Sequence, residues 1–261
     1  MSKPTVLILR TAGTNCDVET EHAFRLAGAE VDRVHVARMF EAPDTMSSYD
    51  ILALPGGFSY GDDIAAGRLW ANEFVHRLGS PLNAFVAAGK PVIGICNGFQ
   101  ALVRTGLLPG DAGLGTQTAT LAGNDSGRYE CRWTHLRVEP GPCIFTEGMT
   151  GLIELPVAHA EGRFVSDDAV VDALEASGRV VLRYVEKDGA DAEYPANPSG
   201  SRRGVAAVCN KRGTVLGLMP QPERFVDRTQ HPSWTRKGSP EIGHGLAIFE
   251  NAVRYAATRA Q

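Results

Sequence analysis

The chain has 261 residues, of which 43% are hydrophobic and 21% are charged, and its formal net charge is −4. This composition is typical of a globular protein, and the negative charge provides no basic field for nucleic acid and no polybasic patch for a membrane. The five cysteines include no C-x-x-C pair, which disfavours a disulfide framework and a thiolate zinc site. Because no apolar run could span a bilayer and no signal peptide is recognisable, we expect a cytoplasmic protein.

The first hundred residues alternate short apolar runs with helical patterns, which is typical of a parallel sheet covered by helices on both faces. Strands are predicted at 5–9, 31–36, 51–54 and 91–95. One helix is predicted over 17–27. A second is predicted to begin at Ser80-Pro81, where Ser and Pro suit the cap and the first turn, and to end at Gly89.

The sequence after about Thr116 has more strand-like runs and fewer long helices. Further strands are predicted at 129–138, 152–158, 180–185, 205–209 and 215–219, with a hairpin turn at 210–213 and a closing helix over 245–259. No repeat or linker divides the chain. We therefore predict a single domain over residues 1–261, folded as a flavodoxin-like three-layer α/β/α sandwich with a mostly parallel central sheet.

Residues 94–98, Gly-Ile-Cys-Asn-Gly, lie between a predicted buried strand and a predicted helix. Glycines on both sides of a nucleophile permit the tight, strained turn that exposes it at the edge of a sheet. The helix N-terminus is expected to favour the Cys96 thiolate, and the amide of Asn97 is placed to bind an oxyanion. The other four cysteines are interpreted as structural. Hydrolases, amidotransferases and redox-sensing proteins all use this pattern, so it does not name the reaction.

A glycine-rich loop, residues 55–63, follows the preceding predicted strand and ends at the same edge of the sheet, where open α/β sheets bind ligands. Its Gly57 amide can approach a reacting carbonyl closely, because glycine has no side chain. The pair Asp62-Asp63 is interpreted as part of a solvated loop. We expect no metal there, since no third ligand stands at suitable spacing.

Seven segments together resemble a known family, the class I glutamine amidotransferases, and within it the glutaminase subunits of phosphoribosylformylglycinamidine synthase. They are residues 10–17, 54–62, 94–100, 124–132, 156–163, 194–201 and 217–224. The Cys elbow and the Gly-Gly loop are common to the superfamily. The segments Phe-Ser-Tyr-Gly-Asp, Asn-Pro-x-Gly-Ser and Met-Pro-x-Pro-Glu-Arg are more specific to this subunit.

The resemblance implies that a thiolate attacks the side-chain amide of glutamine, that ammonia leaves, and that water releases glutamate from a thioester. It implies Cys96 as nucleophile, the Gly57 and Asn97 amides as oxyanion hole, Gln100 and His159 as glutamine-binding residues, and Glu223 as the third member of the triad. The pocket is expected between the Gly57 loop, the Cys96 elbow and the segment 221–223.

The resemblance also implies partners. The ammonia would pass to a synthetase subunit that converts formylglycinamide ribonucleotide to formylglycinamidine ribonucleotide in de novo purine biosynthesis, and a small accessory subunit would join some complexes. The chain itself would need no cofactor, because ATP and magnesium would be used by the synthetase.

One residue departs from the family pattern: Gln221 stands where the catalytic histidine is expected. A carboxamide cannot take the thiol proton or protonate departing ammonia. Three explanations stay open, namely a weakly active triad, a substitute histidine (His231 or His159), or an engineered or accidental substitution.

Two alternatives to an active glutaminase also stay open. The first is a catalytically impaired, glutamine-binding or regulatory subunit of the same complex, which the missing histidine motivates. The second is a stand-alone redox-sensing or hydrolytic protein with the same elbow, against which the family-specific segments after residue 120 count.

Overall fold

The computed structural model describes residues 3–62, 65–110, 113–236, 238 and 240–259. The strands are β1 Thr5–Arg10, β2 Glu30–His35, β3 Ile51–Leu54, β4 Val92–Ile95, β5 Ala119–Ala122, β6 Glu130–Val138, β7 Leu152–His159, β8 Arg163–Ser166, β9 Val180–Val185, β10 Val205–Cys209 and β11 Val215–Leu218. The α-helices are α1 Asp17–Leu26, α2 Val36–Glu41, α3 Arg68–Arg77, α4 Gly79–Ala87, α5 Asn97–Arg104, α6 Asp168–Ala176 and α7 Leu246–Arg259.

Within the described residues, nine strands form one sheet in the order β2-β1-β3-β4-β11-β10-β9-β6-β7. The five strands from β2 to β11 are mutually parallel. From β11 onward every neighbouring pair is antiparallel, so the second half of the chain extends one edge of the parallel sheet. Strands β5 and β8 pair separately.

The central strands β3, β4, β10 and β11 are buried along their whole length, which requires cover on both faces of the sheet. Helix α1 packs against α7, where the rings of Phe24 and Phe249 meet edge to face with centroids 4.9 Å apart. Helix α3 packs against α5, and Phe99 of α5 lies directly on Gly217 of β11. The structure is therefore the predicted α/β/α sandwich with added strands.

All nine predicted strands are present, each within two residues of its predicted ends. The predicted helices over 17–27 and 245–259 correspond to α1 and α7. The helix predicted to begin at Ser80-Pro81 is present as α4, which begins one residue earlier, so that its cap is Leu78 and not Ser80. The prediction lacked α2, α3, α6 and the pair β5 and β8. In the described part of the chain, no helix has the length and apolar character that a membrane crossing requires.

Candidate active site

Parallel strands bring three loops to one edge of the sheet. Strand β4 pairs with β3 on one side and with β11 on the other, with Ile95 opposite Leu218. Cys96 directly follows β4, and its backbone N–H donates to Leu218 O at 2.8 Å. The glycine-rich loop after β3 and the segment after β11 therefore flank Cys96.

The predicted elbow is present as a strand, a sharp turn and a helix. Cys96 has φ 51° and ψ −106°, a strained backbone conformation that non-glycine residues rarely adopt. A methyl group on Gly98 would lie 1.9 Å from Leu54 O, and one on Gly94 would lie 2.6 Å from Leu102 Cδ1. Both glycines are therefore required by close packing of the helix against the sheet.

The Cys96 thiol is nearly buried, with 5% of the residue exposed, and it donates to Ala158 O at 3.6 Å. Burial and then the charge of Glu223 raise the pKa of Cys96 to about 12, and the Asn97 amide opposes them. The amide at the start of α5 favours the thiolate as predicted, but it does not offset burial in this resting state. Desolvation disfavours the charged form more than one amide stabilises it.

A cavity of about 200 Å³ opens beside Cys96. Residues from three segments line it, together with Ala66: Gly57, Phe58 and Asp62 from the first, Cys96 and Gln100 from the second, and 158–161 from the third. The predicted residues Gly57, Cys96, Gln100 and His159 all line this cavity. The expected boundary at 221–223 is wrong, because the third wall is the end of β7 with the residues that follow it.

Gly57 forms the wall of the cavity next to Cys96. It bridges to Thr14 and has φ 146°, and a methyl group there would lie 2.7 Å from Gly13 O and 2.8 Å from Asn15 N. Only glycine fits this position, and Gly57 is one of the residues that line the cavity.

His159 is buried, and its ring lies against Gly162. Asn124 Nδ2 donates to Arg128 O and to His159 O, so Asn124 Oδ1 faces His159 Nδ1, 3.1 Å away. The proton of the neutral ring therefore sits on Nδ1, and Nε2 is left as an acceptor without a partner among the described residues. Burial lowers the pKa of His159 to about 4, so the ring is neutral at physiological pH.

Gln221 lies next to Gly56, as Cys96 does, and it is not among the residues that line the cavity. A methyl group on Gly56 would contact both, at 3.4 Å from Gln221 Nε2 and 3.5 Å from Cys96 Cβ. Gln221 is 3% exposed, and its Oε1 has no hydrogen-bond partner in the described part of the chain. The Gln221 amide and the Cβ of Cys96 thus both lie against Gly56.

Glu223 is completely buried, and neither of its carboxyl oxygens has a hydrogen-bond partner of normal geometry within the described ranges. Burial raises the pKa of Glu223 to about 8, although the nearby Arg224 guanidinium and Cys16 thiol act to lower it. Cys16 also lies against Gly56, with its sulfur 3.2 Å from the position of an added methyl group, and Arg224 Nη2 donates to this sulfur at 3.2 Å. A carboxyl group in this setting is largely protonated at neutral pH.

His231 does not line the Cys96 cavity. Its ring packs 4.5 Å from the ring of Trp133 and 5.3 Å from that of Phe225, and its Nε2 lies 3.5 Å from Glu154. Of the two histidines considered as substitutes, only His159 therefore shares a cavity with the nucleophile.

Two features of the site were not predicted from the sequence. The side chain of Asn97, considered only for its amide, joins the walls of the cavity. Asp62 was interpreted as solvated, but it lines the cavity and burial raises its pKa; Asp63 lies outside the described residues. The position of Asn97 next to the nucleophile was the available signal. No cluster of three potential metal ligands occurs in the part of the chain that the structure describes.

Comparisons with known proteins place this geometry in a family. Residues 3–256 match the model of the CobB/CobQ-like glutamine amidotransferase domain. Phosphoribosylformylglycinamidine synthase subunit PurQ of Dehalococcoides mccartyi is 49% identical over 258 residues, covering 98% of this chain and 99% of that protein. PurQ of Methanococcus maripaludis strain S2 is 40% identical over 266 residues and covers 97% of each chain.

Solved structures agree with the sequence comparisons. The structure of PurLQS from Thermotoga maritima has a TM-score of 0.74 and 31% identity, covering 97% of this chain and 99% of that chain. A putative GMP synthase subunit from Thermoplasma acidophilum, at 15% identity and a TM-score of 0.58, covers 100% of this chain and 97% of that chain and shows the shared fold alone. The chain therefore belongs to the glutamine amidotransferases, and within them to the PurQ subunits of phosphoribosylformylglycinamidine synthase.

Proposed function

We propose that this chain hydrolyses glutamine to glutamate and ammonia at Cys96, and that the ammonia serves a synthetase subunit that makes formylglycinamidine ribonucleotide. The observation that carries the proposal is a thiol on a strained elbow at the wall of a small cavity that Gly57, Gln100 and His159 also line. Because the relatives are named as subunits of a synthase, the comparisons do not favour the alternative of a catalytically impaired regulatory subunit.

The cavity has the chemistry to hold a free amino acid. The carboxylates of Asp62 and Glu161 line it and suit the α-ammonium group of glutamine. The unprotonated His159 Nε2 can accept a hydrogen bond from an N–H of the substrate. Gln100 has its side-chain Nε2 2.7 Å from Glu161 O, so it fixes the substrate-facing segment.

In the reaction, the Cys96 sulfur attacks the side-chain carbonyl of glutamine, and the developing oxyanion accepts hydrogen bonds from the Gly57 and Asn97 amides. The thiol proton ends on the departing nitrogen, which leaves as ammonia. Water then cleaves the thioester to glutamate and restores the thiol. Gln221 cannot carry the proton from the sulfur to the departing nitrogen. We therefore expect this proton transfer to limit the rate.

The remaining parts of the proposal concern the setting of the reaction. No cofactor is needed for this hydrolysis, and ATP and magnesium act in the synthetase, with a small accessory subunit completing the complex. The PurLQS structure of a similar chain supports a multisubunit assembly. A cytoplasmic location is consistent with five cysteines that are all free thiols.

Glutamate release from glutamine, measured for the chain with and without its synthetase, tests the proposal. Cys96→Ala should lower the rate at least about a hundredfold, because no other cysteine, serine or threonine among the described residues lines the cavity. Cys131→Ala, at an exposed cysteine, is the matched control and should leave the rate unchanged. Equal rates for Cys96→Ala and the wild type would refute the nucleophile.

The same assay tests the effect of the missing histidine. Gln221→His should raise the rate by about 10² to 10⁴, because an imidazole there can move the proton and can pair with the buried Glu223. Gln221→Ala is the control and should give no gain. A lower rate for Gln221→His than for the wild type would show that the site has been rebuilt around the carboxamide.

A further inference from the structure

The side chain of Asn97 makes three hydrogen bonds in the wall of the cavity. Its Oδ1 accepts from the backbone N–H of Ser59 at 3.1 Å. Its Nδ2 donates to Asp62 Oδ1 at 3.2 Å and to Gln100 Oε1 at 2.9 Å. The residue is 1% exposed, so water cannot replace these partners without rearrangement.

This arrangement specifies an asparagine. The site needs one acceptor, for an N–H, and two donors, for two oxygens, and a carboxamide supplies both. An aspartate would keep the acceptor but would place a second carboxylate about 3 Å from Asp62 and lose both donors. An apolar residue of the same size would leave the Ser59 N–H buried without a partner.

The loop that Asn97 holds is strained. Tyr60 and Asp62 have φ values of 54° and 53°, in the left-handed region that side-chain-bearing residues rarely adopt. Such a backbone persists only where its surroundings fix it. Asn97 contacts the loop on both sides of Tyr60, at Ser59 and at Asp62, and the same loop carries Gly57 to the cavity.

The bonds of Asn97 continue to the third wall of the cavity. Gln100, which accepts from Asn97, donates through Nε2 to Glu161 O at 2.7 Å. The side chains of Asn97 and Gln100 therefore join the glycine-rich loop, the elbow helix and the segment 158–161. A displacement of any one wall must disturb the other two, because the buried polar groups would lose their partners.

We propose that the side chain of Asn97 is a positioning residue for glutamine hydrolysis, which holds the glycine-rich loop where the Gly57 amide can stabilise the oxyanion on the Cys96 adduct. The inference rests on the proposed glutaminase function. It goes beyond the role of the Asn97 backbone amide, because it assigns the geometry of the other donor to the Asn97 side chain. The side chain acts through the loop and does not touch the substrate.

Steady-state glutamine hydrolysis by the wild type and Asn97→Asp, each with the synthetase, is the first measurement. A misplaced oxyanion donor weakens binding of the transition state more than binding of the substrate. We therefore expect kcat to fall about 10- to 100-fold, while KM for glutamine changes by less than about threefold. Asn97→Ala, which introduces no charge, should likewise lower kcat with little change in KM. It replaces Asn97→Asp in this test if Asn97→Asp does not fold.

A rescue variant separates positioning from general damage. In Asn97→Asp combined with Asp62→Asn, donor and acceptor are exchanged, so the bond between positions 97 and 62 can form again. At saturating glutamine its kcat should exceed that of Asn97→Asp alone by at least about fivefold, since the two sites are coupled through one hydrogen bond, whereas KM should rise because Asp62 also lines the glutamine cavity. A non-specific structural defect would instead be deepened by the second substitution.

A matched buried asparagine provides the control. Asn251 is 4% exposed, and its Nδ2 donates to Phe145 O at 2.9 Å and to Glu147 O at 3.0 Å in a part of the chain that does not line the cavity. Asn251→Asp should lower the melting temperature and leave kcat unchanged. This result would show that loss of a buried amide does not by itself lower turnover.

The outcomes are distinct. Absence of Cys96-dependent turnover in the wild type would overturn the proposed function and, with it, this inference. Turnover in the wild type with an unchanged kcat in Asn97→Asp and Asn97→Ala would overturn the inference alone. The inference would also be overturned if the Asn97 variants changed only KM, or if the double variant had a kcat no higher than that of Asn97→Asp.

Discussion

At the scale of single residues, Gln221 and the buried Glu223 stand where the resemblance expects a histidine and its carboxylate partner. An imidazole between a thiol and a carboxylate can carry a positive charge that stabilises the carboxylate, whereas a carboxamide cannot. The carboxyl of Glu223 is buried without a hydrogen-bond partner in the described ranges, and its pKa is raised to about 8. The negative charge that would disfavour the Cys96 thiolate is therefore mostly absent at neutral pH.

This assignment predicts a pH dependence of stability. Glu223 holds its proton more tightly in the folded protein than in the unfolded chain. Its stabilising contribution is therefore fully present below about pH 4.5 and is lost as the pH rises to about 8. In denaturant unfolding, Glu223→Gln should gain a few kcal/mol relative to the wild type between pH 5 and pH 8.5, because each tenfold difference in proton affinity between the folded and unfolded states corresponds to about 1.4 kcal/mol.

A surface substitution controls for general charge effects. Glu250 is exposed on α7, and Glu250→Gln should follow the pH dependence of the wild type. If the unfolding free energies of Glu223→Gln and the wild type ran parallel across this range, Glu223 would not be the buried acid.

At the scale of elements, the elbow between β4 and α5 depends on glycine at positions where backbones touch. A Cβ at Gly98 would lie 1.9 Å from the carbonyl oxygen of Leu54 in β3, and backbone cannot move aside as a flexible side chain can. The G-x-C-x-G pattern is therefore required for the packing of α5 against β3 and β4 as well as for the turn at Cys96.

Gly98→Ala should destabilise the protein by at least about 2 kcal/mol, because it overpacks a buried junction. The matched control is Gly123→Ala, at a glycine whose added methyl group would meet no atom within 4 Å. That variant should remain within about 0.5 kcal/mol of the wild type in the same denaturant titration. Similar unfolding free energies for both variants would contradict the packing argument.

The elements that were predicted and those that were not differ physically. Strands β3 and β4 are continuous apolar runs ending in Gly-rich turns, and such runs are recognisable without knowledge of their neighbours. Helix α3 follows Gly67 and has no side-chain cap, so its start carries no sequence signal. Strands β5 and β8 have four residues each and are stabilised by pairing with each other across a long stretch of chain.

At the scale of the whole molecule, one sheet joins the two halves of the chain. Residues 92–95 of β4 pair in register with residues 215–218 of β11, so the parallel and antiparallel parts share one hydrogen-bonded ladder. The cluster of buried apolar side chains likewise includes residues from β1 to α7. The two parts should therefore unfold together, as the single-domain prediction requires.

Tryptophans in the parallel and antiparallel parts of the molecule allow their joint unfolding to be measured. Trp70 lies on α3, in the parallel part, and Trp133 lies on β6, in the antiparallel part. Trp234 is exposed. The variants Trp133→Phe/Trp234→Phe and Trp70→Phe/Trp234→Phe should give fluorescence transitions with the same denaturant midpoint as far-UV circular dichroism. Two separate midpoints would divide the chain into independent domains.

The sequence by itself determined the strand pattern, the elbow at Cys96 and the glycine-rich loop, because these depend on local periodicity and on glycines at fixed spacing. Only the tertiary structure decided which residues meet. The bonds from Asn97 to Ser59 and from Gln100 to Glu161 join positions 38 and 61 residues apart. Burial has the largest effect on the pKa values of Glu223 and His159, and this desolvation arises from tertiary packing.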